Sequence, residues 1–581
     1  MQPLVDPKRT AGGDNANGMD HFNMPFIWGI SLVAAMGGLL FGWDFIVISG
    51  AKPFYEKFFN ITSENLSGWV VSCAFIGCLV GAMVSGGLSD RFGRKRLLIL
   101  AAILFTVSSI GTGMANTLTM LVVWRMIGGV AIGLASNLSP MYIAEVAPSA
   151  IRGRLVSVNQ LTIVIGSLLA QIVNWQVAAQ ENFPERAATP QAVLAKAENL
   201  ESHTHDFEAR NPPAQIREAR AADLRAIDAR AHLLQERYPK LNLSDTKAAA
   251  EIKEESTSHY ANAADASSDS TDVPKNAVED LKSLADKAEW WDLYDSWNGR
   301  IGWRWMFGLT AIPSLFFFAL MFFVPESPRW LAKNGKPEKS QSILGRIGGA
   351  AYARRTIDEI ETTLVNEVEK VDFRELLEPK MRKVLLIGVV LAVFQQWCGM
   401  NVMFYYADKV FGAAGYGINQ LMISIVTTGV TCLIATIIAI NTVDVVGRRA
   451  LMLAGAASLM ILHFAIATCY YNEIQGIFLK SLLIAIIACY ALTLAPVTWV
   501  VISEIFPNRI RGAAVSVSVF ALWFGCYSVG QSFPFVTEHL GMARAFWIFS
   551  AICLAGFLFI WFKLPETKGK SLEQIETELV D

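Results

Sequence analysis

Two stretches of this chain nearly repeat each other, and this duplication constrains the fold more than any other feature. Residues 144–153 read AEVAPSAIRG and residues 503–512 read SEIFPNRIRG, and each stretch follows a long apolar run. A second pair agrees, because residues 90–95 (DRFGRK) return as residues 444–449 (DVVGRR), again after an apolar run. Such a chain is built from two similar halves. Internal repeats of membrane helices are typical of secondary transporters, in which two halves rock about a central site.

A third pair of matching stretches indicates that the two halves differ in length. Residues 325–327 (PES) return as residues 565–567 (PET), but these two lie much closer together in the sequence than the members of the other pairs. The first half therefore carries an extra segment between Gly153 and Pro325. Residues 176–300 are polar, and we assign the insertion to them.

Composition and hydropathy predict that both halves lie in a membrane. Hydrophobic residues make up 53% of the chain and charged residues 17%, which is typical of a polytopic membrane protein. A helix needs about 20 apolar residues to cross roughly 30 Å of hydrocarbon, and twelve runs qualify. They lie near residues 26–50, 67–88, 96–115, 119–143, 154–175, 303–324, 383–411, 418–440, 450–470, 480–505, 512–534 and 543–563. We predict an all-α polytopic membrane protein with twelve transmembrane helices in two six-helix halves.

Lysines and arginines in the short loops predict the orientation, because loops rich in these residues stay in the cytoplasm. The loops at 89–96, 144–154 and 444–449 and the segment 325–382 are all basic and lie on one side. Both termini are then cytoplasmic, and the insertion faces the periplasm or the cell exterior. The start of the chain is polar, so we expect no cleaved signal peptide. We expect the protein in the plasma membrane, which is the inner membrane of a bacterium.

The insertion is the least membrane-like part of the chain. It has 23 acidic and 15 basic residues and no cysteine. Residues 214–239 have the composition of a helix, whereas 255–275 are rich in Ser, Asp and Ala and are typical of a linker. Composition favours a passive spacer over a lid or a docking surface. The predicted order of segments is a cytoplasmic N-terminus (1–25), helices one to five (26–175), the insertion (176–300), helix six (301–324), a cytoplasmic linker with short helices (325–382), the second six-helix half (383–563) and a cytoplasmic C-terminus (564–581).

The first predicted helix places a carboxylate inside an apolar span. Asp44 follows the glycine-rich run 37–43 (GGLLFGW), and a charge at that depth costs about 3 kcal/mol unless it is protonated or paired. Arg125 in the fourth helix is the only basic residue well inside a predicted span of the first half, so it is the expected partner. A carboxylate that is ionised beside Arg125 and protonated when the pair separates can carry a proton. A static ion pair between the two helices is the alternative.

Three carboxamides interrupt the apolar sequence of the seventh predicted helix. Gln395, Gln396 and Asn401 can both donate and accept hydrogen bonds, as sugar hydroxyls require. On a straight helix Gln396 and Asn401 would lie about 140° apart, so both reach one ligand only if the helix unwinds near the glycine between them. Hydrogen bonding between helices is the alternative role. Gln160 in helix five and Trp499 in helix ten complete a predicted site at the middle of the membrane.

Acidic and basic residues lie side by side in the repeated loop motifs. The network predicted on the cytoplasmic face consists of Asp90, Arg94, Glu145, Arg152, Glu326, Arg448, Glu504 and Arg511. Salt links among them can join the two halves while the outward side is open and break when the inward side opens. Alternatively, the basic residues only anchor the loops in the cytoplasm, and both roles are compatible.

These motifs resemble those of the sugar porter family of the major facilitator superfamily, and in particular its bacterial proton-coupled xylose symporters. The resemblance covers nearly everything except 1–20 and 176–300, and it rests on residues 90–95, on 325–330 (PESPRW), on Gln395 and Gln396 with Asn401, on Tyr405 and Tyr406, and on 565–569 (PETKG). It implies the major facilitator fold, alternating access and secondary active transport of a monosaccharide with a proton.

The resemblance also implies roles for single residues. By that likeness the sugar is bound by Gln160, Gln395, Gln396, Asn401 and Trp499, a proton is coupled through Asp44 and Arg125, and Tyr405 and Tyr406 are candidate gate residues. Facilitative glucose carriers of the family generally have asparagine at the position of Asp44. The aspartate therefore favours symport.

Several positions depart from the family pattern. Cys432 and Cys526 stand where many members have asparagine, Leu522 and Ser167 stand where xylose symporters have glutamine, and Thr310 replaces an acidic residue. Each lost partner can leave a sugar hydroxyl unsatisfied, at a cost of roughly 1–3 kcal/mol. Glucose, xylose, another monosaccharide and a cyclic polyol such as inositol therefore stay open as substrates.

The sequence argues against several other classes of protein. It has no Walker A motif for ATP and no nucleophile, base and oxyanion arrangement of an enzyme. All eight cysteines lie in predicted spans, which argues against a disulfide framework or a metal site. We expect a monomer in the lipid bilayer that uses no cofactor, metal or nucleic acid. A facilitator of sugar or polyol without ion coupling is the main alternative, ahead of a sugar receptor or a drug exporter.

Overall fold

Helices form all the regular structure of the described residues. The computed structural model describes residues 22–148, 151–181, 189–210, 212–238, 241, 273–366, 378–506, 511–566 and 568. Twelve helices in this part are long and apolar enough to cross a membrane, which confirms the predicted number. They are Met24–Phe58, Glu64–Phe92, Arg94–Gly113, Leu118–Val146, Arg152–Ala178, Asn298–Met321, Met381–Tyr405, Ile418–Val443, Arg448–Tyr471, Ile477–Ile502, Ala513–Leu540 and Met542–Lys563. The segment between the halves holds the helix Pro328–Lys333 and the helical stretch Pro337–Asn366, which is kinked at Gly349.

Close helix packing holds each half together. In the first half the first span packs against the fifth and the second against the fourth, and in the second half the ninth packs against the twelfth. A methyl group at Gly77 would lie 2.1 Å from the Met126 carbonyl oxygen, and one at Gly129 would lie 2.0 Å from that of Ala74. Small residues let membrane helices approach each other in this way.

The two halves meet near the insertion. The second span packs against the eleventh, the fifth against the eighth, and the first against the end of the seventh. Ser72 Oγ donates a hydrogen bond to Gln531 Oε1 at 2.9 Å, and Gln531 Nε2 donates to the Asn65 backbone oxygen at 3.1 Å. Polar contacts of this kind join membrane helices, and here they join the halves at the end of the molecule that carries the insertion.

The seventh span is broken in the middle, as the spacing of its carboxamides predicted. Its first part is the helix Pro379–Trp397, its second part is Met400–Tyr405, and a short helix, Ala407–Ala413, follows. Gly399, between the two parts, has a φ of +85°. Glycine takes this left-handed conformation without the steric penalty of a Cβ atom.

The described part of the insertion is a folded helical bundle. Its helices are Pro190–Ser202, Thr204–Ala209, Ala214–Arg237 and Val273–Asp295. They enclose an apolar core of their own, which includes Val193, Ile227 and Leu281. The helix predicted at 214–239 is confirmed, whereas most of the linker predicted at 255–275 lies outside the described residues. A packed core gives the insertion more structure than the passive spacer that composition favoured.

The bundle is attached to the first half of the transmembrane region. Glu181, which follows the fifth span, accepts hydrogen bonds from the backbone N–H groups of Trp297 and Asn298 at 2.5 and 2.9 Å. The ammonium group of Lys57, at the end of the first span, lies 5.9 Å from the centre of the Trp290 ring. These contacts tie both ends of the bundle to spans of one half.

Candidate functional site

Asp44 and Arg125 lie together inside the first half, where the sequence predicted a pair. Arg125 Nη1 lies 3.6 Å from Asp44 Oδ2 and donates a hydrogen bond to the Asp44 backbone oxygen at 3.2 Å. The two residues are only 6% and 4% exposed. Asp44 Oδ2 accepts no hydrogen bond from the described residues. This carboxylate therefore depends on the charge of Arg125 or on a proton.

The three carboxamides of the seventh span form a chain of hydrogen bonds around its break. Asn401 Nδ2 donates to Gln396 Oε1 at 2.5 Å, and Gln396 Nε2 donates to Gln395 Oε1 at 3.3 Å. Gln395 Nε2 in turn donates to the backbone oxygen of Ala495 in the tenth span at 3.2 Å. All three carboxamides are buried. The break thus brings Gln396 and Asn401 within reach of one ligand.

Gln160 and Trp499 lie on the fifth and tenth spans. Gln160 is half-buried, and its amide makes no hydrogen bond within the described part of the chain. Trp499 is 39% exposed and lies one helical turn beyond Ala495, the residue that Gln395 contacts. No hydrogen bond among the described residues joins Gln160 or Trp499 to the three carboxamides.

A cysteine lies where the family pattern has an asparagine beside the carboxamides. Cys526 Sγ lies 3.7 Å from Asn401 Nδ2 and 3.4 Å from the hydroxyl oxygen of Tyr405. A thiol is a weak donor and a weak acceptor. Leu522 is buried one turn away, and Cys432 is half-buried. This side of the site is therefore less polar than the rest.

An aromatic cluster between the halves was missed by the sequence reasoning. It consists of Phe41, Phe45, Phe75, Tyr405 and Trp523, whose ring centres lie 4.8 to 6.5 Å apart in contacting pairs. The phenylalanines belong to the first half, and the other two residues belong to the second. Trp523 Nε1 is buried with no hydrogen-bond partner among the described residues. Aromatic residues are so common in these spans that their spacing in the sequence does not indicate which of them form a cluster.

Tyr405 and Tyr406, the candidate gate residues, are fully buried. The ring centre of Tyr405 lies 4.8 Å from that of Phe45 and 5.2 Å from that of Phe75, both in the first half. The ammonium group of Lys52, also in the first half, lies 5.2 Å from the centre of the Tyr406 ring. The two tyrosines thus lie at the contact between the halves, on the insertion side of the carboxamides.

Beyond the tyrosines, an ion pair with a buried lysine links the two halves. The sequence did not predict this pair. Lys52 Nζ of the first span lies 2.6 Å from Asp408 Oδ2 of the second half and 3.5 Å from Glu56 Oε1. Lys52 is completely buried. Lys409 pairs with Glu64 close by. The sequence indicated a charged contact here only by a lysine at the end of an apolar run with a glutamate four residues later.

On the opposite, basic side, three ion pairs of the predicted network each join two residues of the same half. Arg94 lies 3.0 Å from Glu145 and 3.3 Å from Asp90, all in the first half. Arg448 lies 3.2 Å from Glu504, both in the second half. In this conformation these pairs therefore strengthen each half separately.

Of the other members of the network, Glu326 contacts the start of a helix, and Glu566, which was not predicted, makes the matching contact in the second half. Glu326 accepts hydrogen bonds from the first two backbone N–H groups of the third span at 2.9 and 3.1 Å, and Glu566 does the same for the ninth span at 3.0 and 3.1 Å. Negative charge is favourable at a helix N-terminus. Arg152 is exposed and has no ion pair among the described residues. The side chain of Arg511 lies outside them.

Comparison with known proteins gives the relatives of this chain. The family model described as "Sugar (and other) transporter" matches residues 30–189 and 291–579, and so omits most of the insertion. The arabinose-proton symporter of Bacillus subtilis (strain 168) is 33% identical over 95% of this chain and 95% of its own length. The D-xylose-proton symporter of Escherichia coli (strain K12) is 32% identical over 96% of both chains. The major myo-inositol transporter of B. subtilis is 28% identical over 95% of this chain and 94% of its own.

Solved structures agree with the fold. The xylose transporter of E. coli in a partially occluded inward-open conformation aligns with a TM-score of 0.67 and 30% identity, over 94% of this chain and 100% of that one. Its inward-open conformation aligns with a TM-score of 0.66 and 31% identity, over 95% and 100%. These relatives are transporters and not enzymes. The chain belongs to the sugar porter family of the major facilitator superfamily, and it is a twelve-span membrane transporter.

Proposed function

We propose that this protein carries a monosaccharide together with a proton across the membrane by alternating access. The observation that carries the proposal is Asp44, a buried carboxylate 3.6 Å from Arg125 with one oxygen that accepts no hydrogen bond from the described residues. A carboxylate in a membrane span is stable only when it is paired or protonated. A change in its contact with Arg125 therefore changes its affinity for a proton.

Coupling follows if this contact changes with the conformation of the transporter. A nearby Arg125 favours the ionised carboxylate, and withdrawal of Arg125 favours uptake of a proton. Phe45 follows Asp44 directly and contacts Tyr405 of the second half, with ring centres 4.8 Å apart. A movement of the halves, or a sugar between them, therefore alters the surroundings of Asp44. Sugar and proton then favour each other's binding.

The proposed sugar site combines carboxamides with an aromatic face. Gln160, Gln395, Gln396 and Asn401 supply donors and acceptors for hydroxyl groups. Trp499 supplies a face for the apolar side of a sugar ring. The relatives named as arabinose and xylose symporters support a pentose, and the relative named as a myo-inositol transporter supports a cyclic polyol.

We propose that the basic side lies in the cytoplasm and the insertion outside, with the protein in a bacterial inner membrane. The basic loops support this orientation. The insertion has no cysteine, so Ala222→Cys adds a thiol at an exposed position of the helix Ala214–Arg237. Labelling of this variant above the level of the native chain by a membrane-impermeant maleimide in intact spheroplasts supports the orientation. Labelling only after permeabilisation contradicts it.

Uptake into proteoliposomes tests the proposed transport. With an acidic exterior, the native chain is expected to concentrate at least one of labelled arabinose, xylose, glucose and inositol. Asp44→Asn keeps the shape of the side chain but cannot titrate, so it should lose accumulation and retain counterflow of the same substrate. Asp228→Asn changes a carboxylate of the insertion that is 54% exposed, and this control should retain both activities.

Two outcomes contradict the proposal in different ways. If the native chain and Asp44→Asn equilibrate a sugar equally and neither concentrates it, the protein is a facilitator and Asp44 with Arg125 is a structural pair. If the native chain neither concentrates nor exchanges any of the four compounds, the proposed substrate class is wrong.

A further inference from the structure

The break in the seventh span leaves a backbone carbonyl without its usual partner. Cys398 follows the last residue of the helix Pro379–Trp397, and carbonyls at the end of a helix lack a partner N–H group in the next turn. Inside a membrane such a group must find another donor. The Cys398 carbonyl lies midway in sequence between Gln395 and Asn401, so its anchoring affects both.

A histidine of the ninth span supplies the missing donor. His463 Nε2 lies 2.8 Å from the Cys398 backbone oxygen, and His463 is completely buried. A carbonyl oxygen only accepts, so Nε2 carries the proton, and Nδ1 remains without a partner among the described residues. Cys553 Sγ of the twelfth span lies 3.8 Å from the same oxygen and adds a weak second contact.

Packing holds the His463 ring against the break. Its centre lies 5.6 Å from that of the Phe546 ring and 5.5 Å from that of Phe549. Gly399 allows the close approach, because a methyl group there would lie 2.8 Å from His463 Cε1. The ring therefore contacts the backbone at the point where the seventh span changes direction.

We propose that His463 is a positioning residue of the sugar site. By donating to the Cys398 carbonyl, it holds the broken segment in the conformation that brings Gln396 and Asn401 together. It makes no hydrogen bond to either carboxamide among the described residues, so it acts through the backbone. The proposal rests on the proposed function in one respect, namely that the carboxamides bind the sugar. It gives the ninth span, which carries none of the residues predicted to bind the sugar, a part in setting sugar affinity.

Matched substitutions separate the hydrogen bond of His463 from the volume of its ring. Glutamine places an Nε2 donor at a similar distance from the main chain, whereas leucine fills space and donates nothing. The purified full-length variants are titrated with the compound that the native chain transports, and binding is followed by tryptophan fluorescence. His463→Leu is expected to bind about tenfold more weakly, and His463→Gln is expected to stay within about threefold of the native chain.

Hydrogen exchange of residues 398–406 gives a readout that needs no sugar. Faster exchange in His463→Leu with native exchange in His463→Gln supports the positioning role, even where no tested sugar binds and the proposed function itself fails. Native exchange and binding in His463→Leu overturn the proposal. Equal impairment in His463→Gln also overturns it, because the ring and not the hydrogen bond then matters. If the leucine variant does not fold, His463→Asn replaces it, since its shorter amide cannot reach Cys398.

Discussion

At Gly399 the backbone takes a φ of +85°, a left-handed conformation that costs a residue with a side chain about 1–2 kcal/mol. A methyl group there would also lie 2.8 Å from His463 Cε1 and 2.9 Å from Phe549 Cγ, both in buried rings. We expect Gly399→Ala to weaken sugar binding by about tenfold or more, measured by fluorescence titration. Gly412→Ala is the control, because a methyl group at Gly412 meets nothing within 4 Å. Native affinity in Gly399→Ala would contradict the role of the break.

Single residues differ in how far the sequence could predict them. Asp44 and Arg125 could be paired without a structure, because a charge in an apolar span needs a partner and the first half offered one candidate. Trp523 could not be singled out, because an aromatic residue in an apolar run fits ordinary packing equally well. Its neighbours Phe41 and Phe75 belong to the other half, so only the tertiary structure brings the cluster together.

Among the helices, the spans were predicted closely and the insertion only in part. A span is specified by its own run of about 20 apolar residues, and the run at 543–563 is the helix Met542–Lys563. The core of the bundle is shared by helices that are far apart in sequence, and each contributes only a stripe of apolar residues. The helix at 214–239 was therefore predictable, but its packing against Val273–Asp295 was not.

A buried ion pair fixes the helices of the bundle. Arg220 is 2% exposed and donates to Asp295 Oδ2 at 3.0 Å and to the Leu200 backbone oxygen at 2.6 Å. Burial raises the pKa of Asp295, and the charge of Arg220 opposes that rise. Arg220→Ala leaves the carboxylate buried without its main counter-charge. We expect the free energy of unfolding of the bundle to fall by about 3–5 kcal/mol near neutral pH.

The loss in Arg220→Ala should be smaller in acid. A carboxyl whose pKa is higher in the folded bundle than in the unfolded chain binds a proton more tightly when the bundle is folded. Protonation of this carboxyl therefore favours folding. This contribution to the free energy of unfolding is lost as the pH rises through the folded pKa. Hydrogen exchange of the helix Ala214–Arg237 at about pH 5 and about pH 7.5 measures the difference. The exposed Arg225→Ala on the same helix is the control. An equal loss at both pH values would show that Asp295 is not the cause.

The whole molecule is joined across its halves on the insertion side, where Lys52 meets Asp408. Lys52→Met leaves Asp408 beside Glu56 without the ammonium group that pairs with it. Removing one partner of a buried pair costs about 3–5 kcal/mol, and the cost falls only on the conformation in which the halves meet there. We therefore expect Lys52→Met to populate the conformation that is open on this side.

Thiol labelling detects such an opening. Cys526 is 1% exposed and lies beneath Tyr405. With the insertion outside, as proposed above, an impermeant reagent applied to spheroplasts reaches Cys526 only when the insertion side opens. Labelling in Lys52→Met should be at least tenfold faster than in the native chain, and this increase should disappear when Cys526→Ala is added. Lys282→Met, which removes an exposed lysine of the bundle far along the chain from this pair, is the control. An unchanged rate in Lys52→Met would show that the ion pair does not close this side.

The bundle has both of its ends in the first half, between the fifth and sixth spans. It is therefore neither stretched nor compressed when the two halves rock. In the alternating access proposed above, the bundle moves as one body with the first half. A distance between a probe on the bundle and a probe on the second half would therefore change with each such movement and would report the transport cycle.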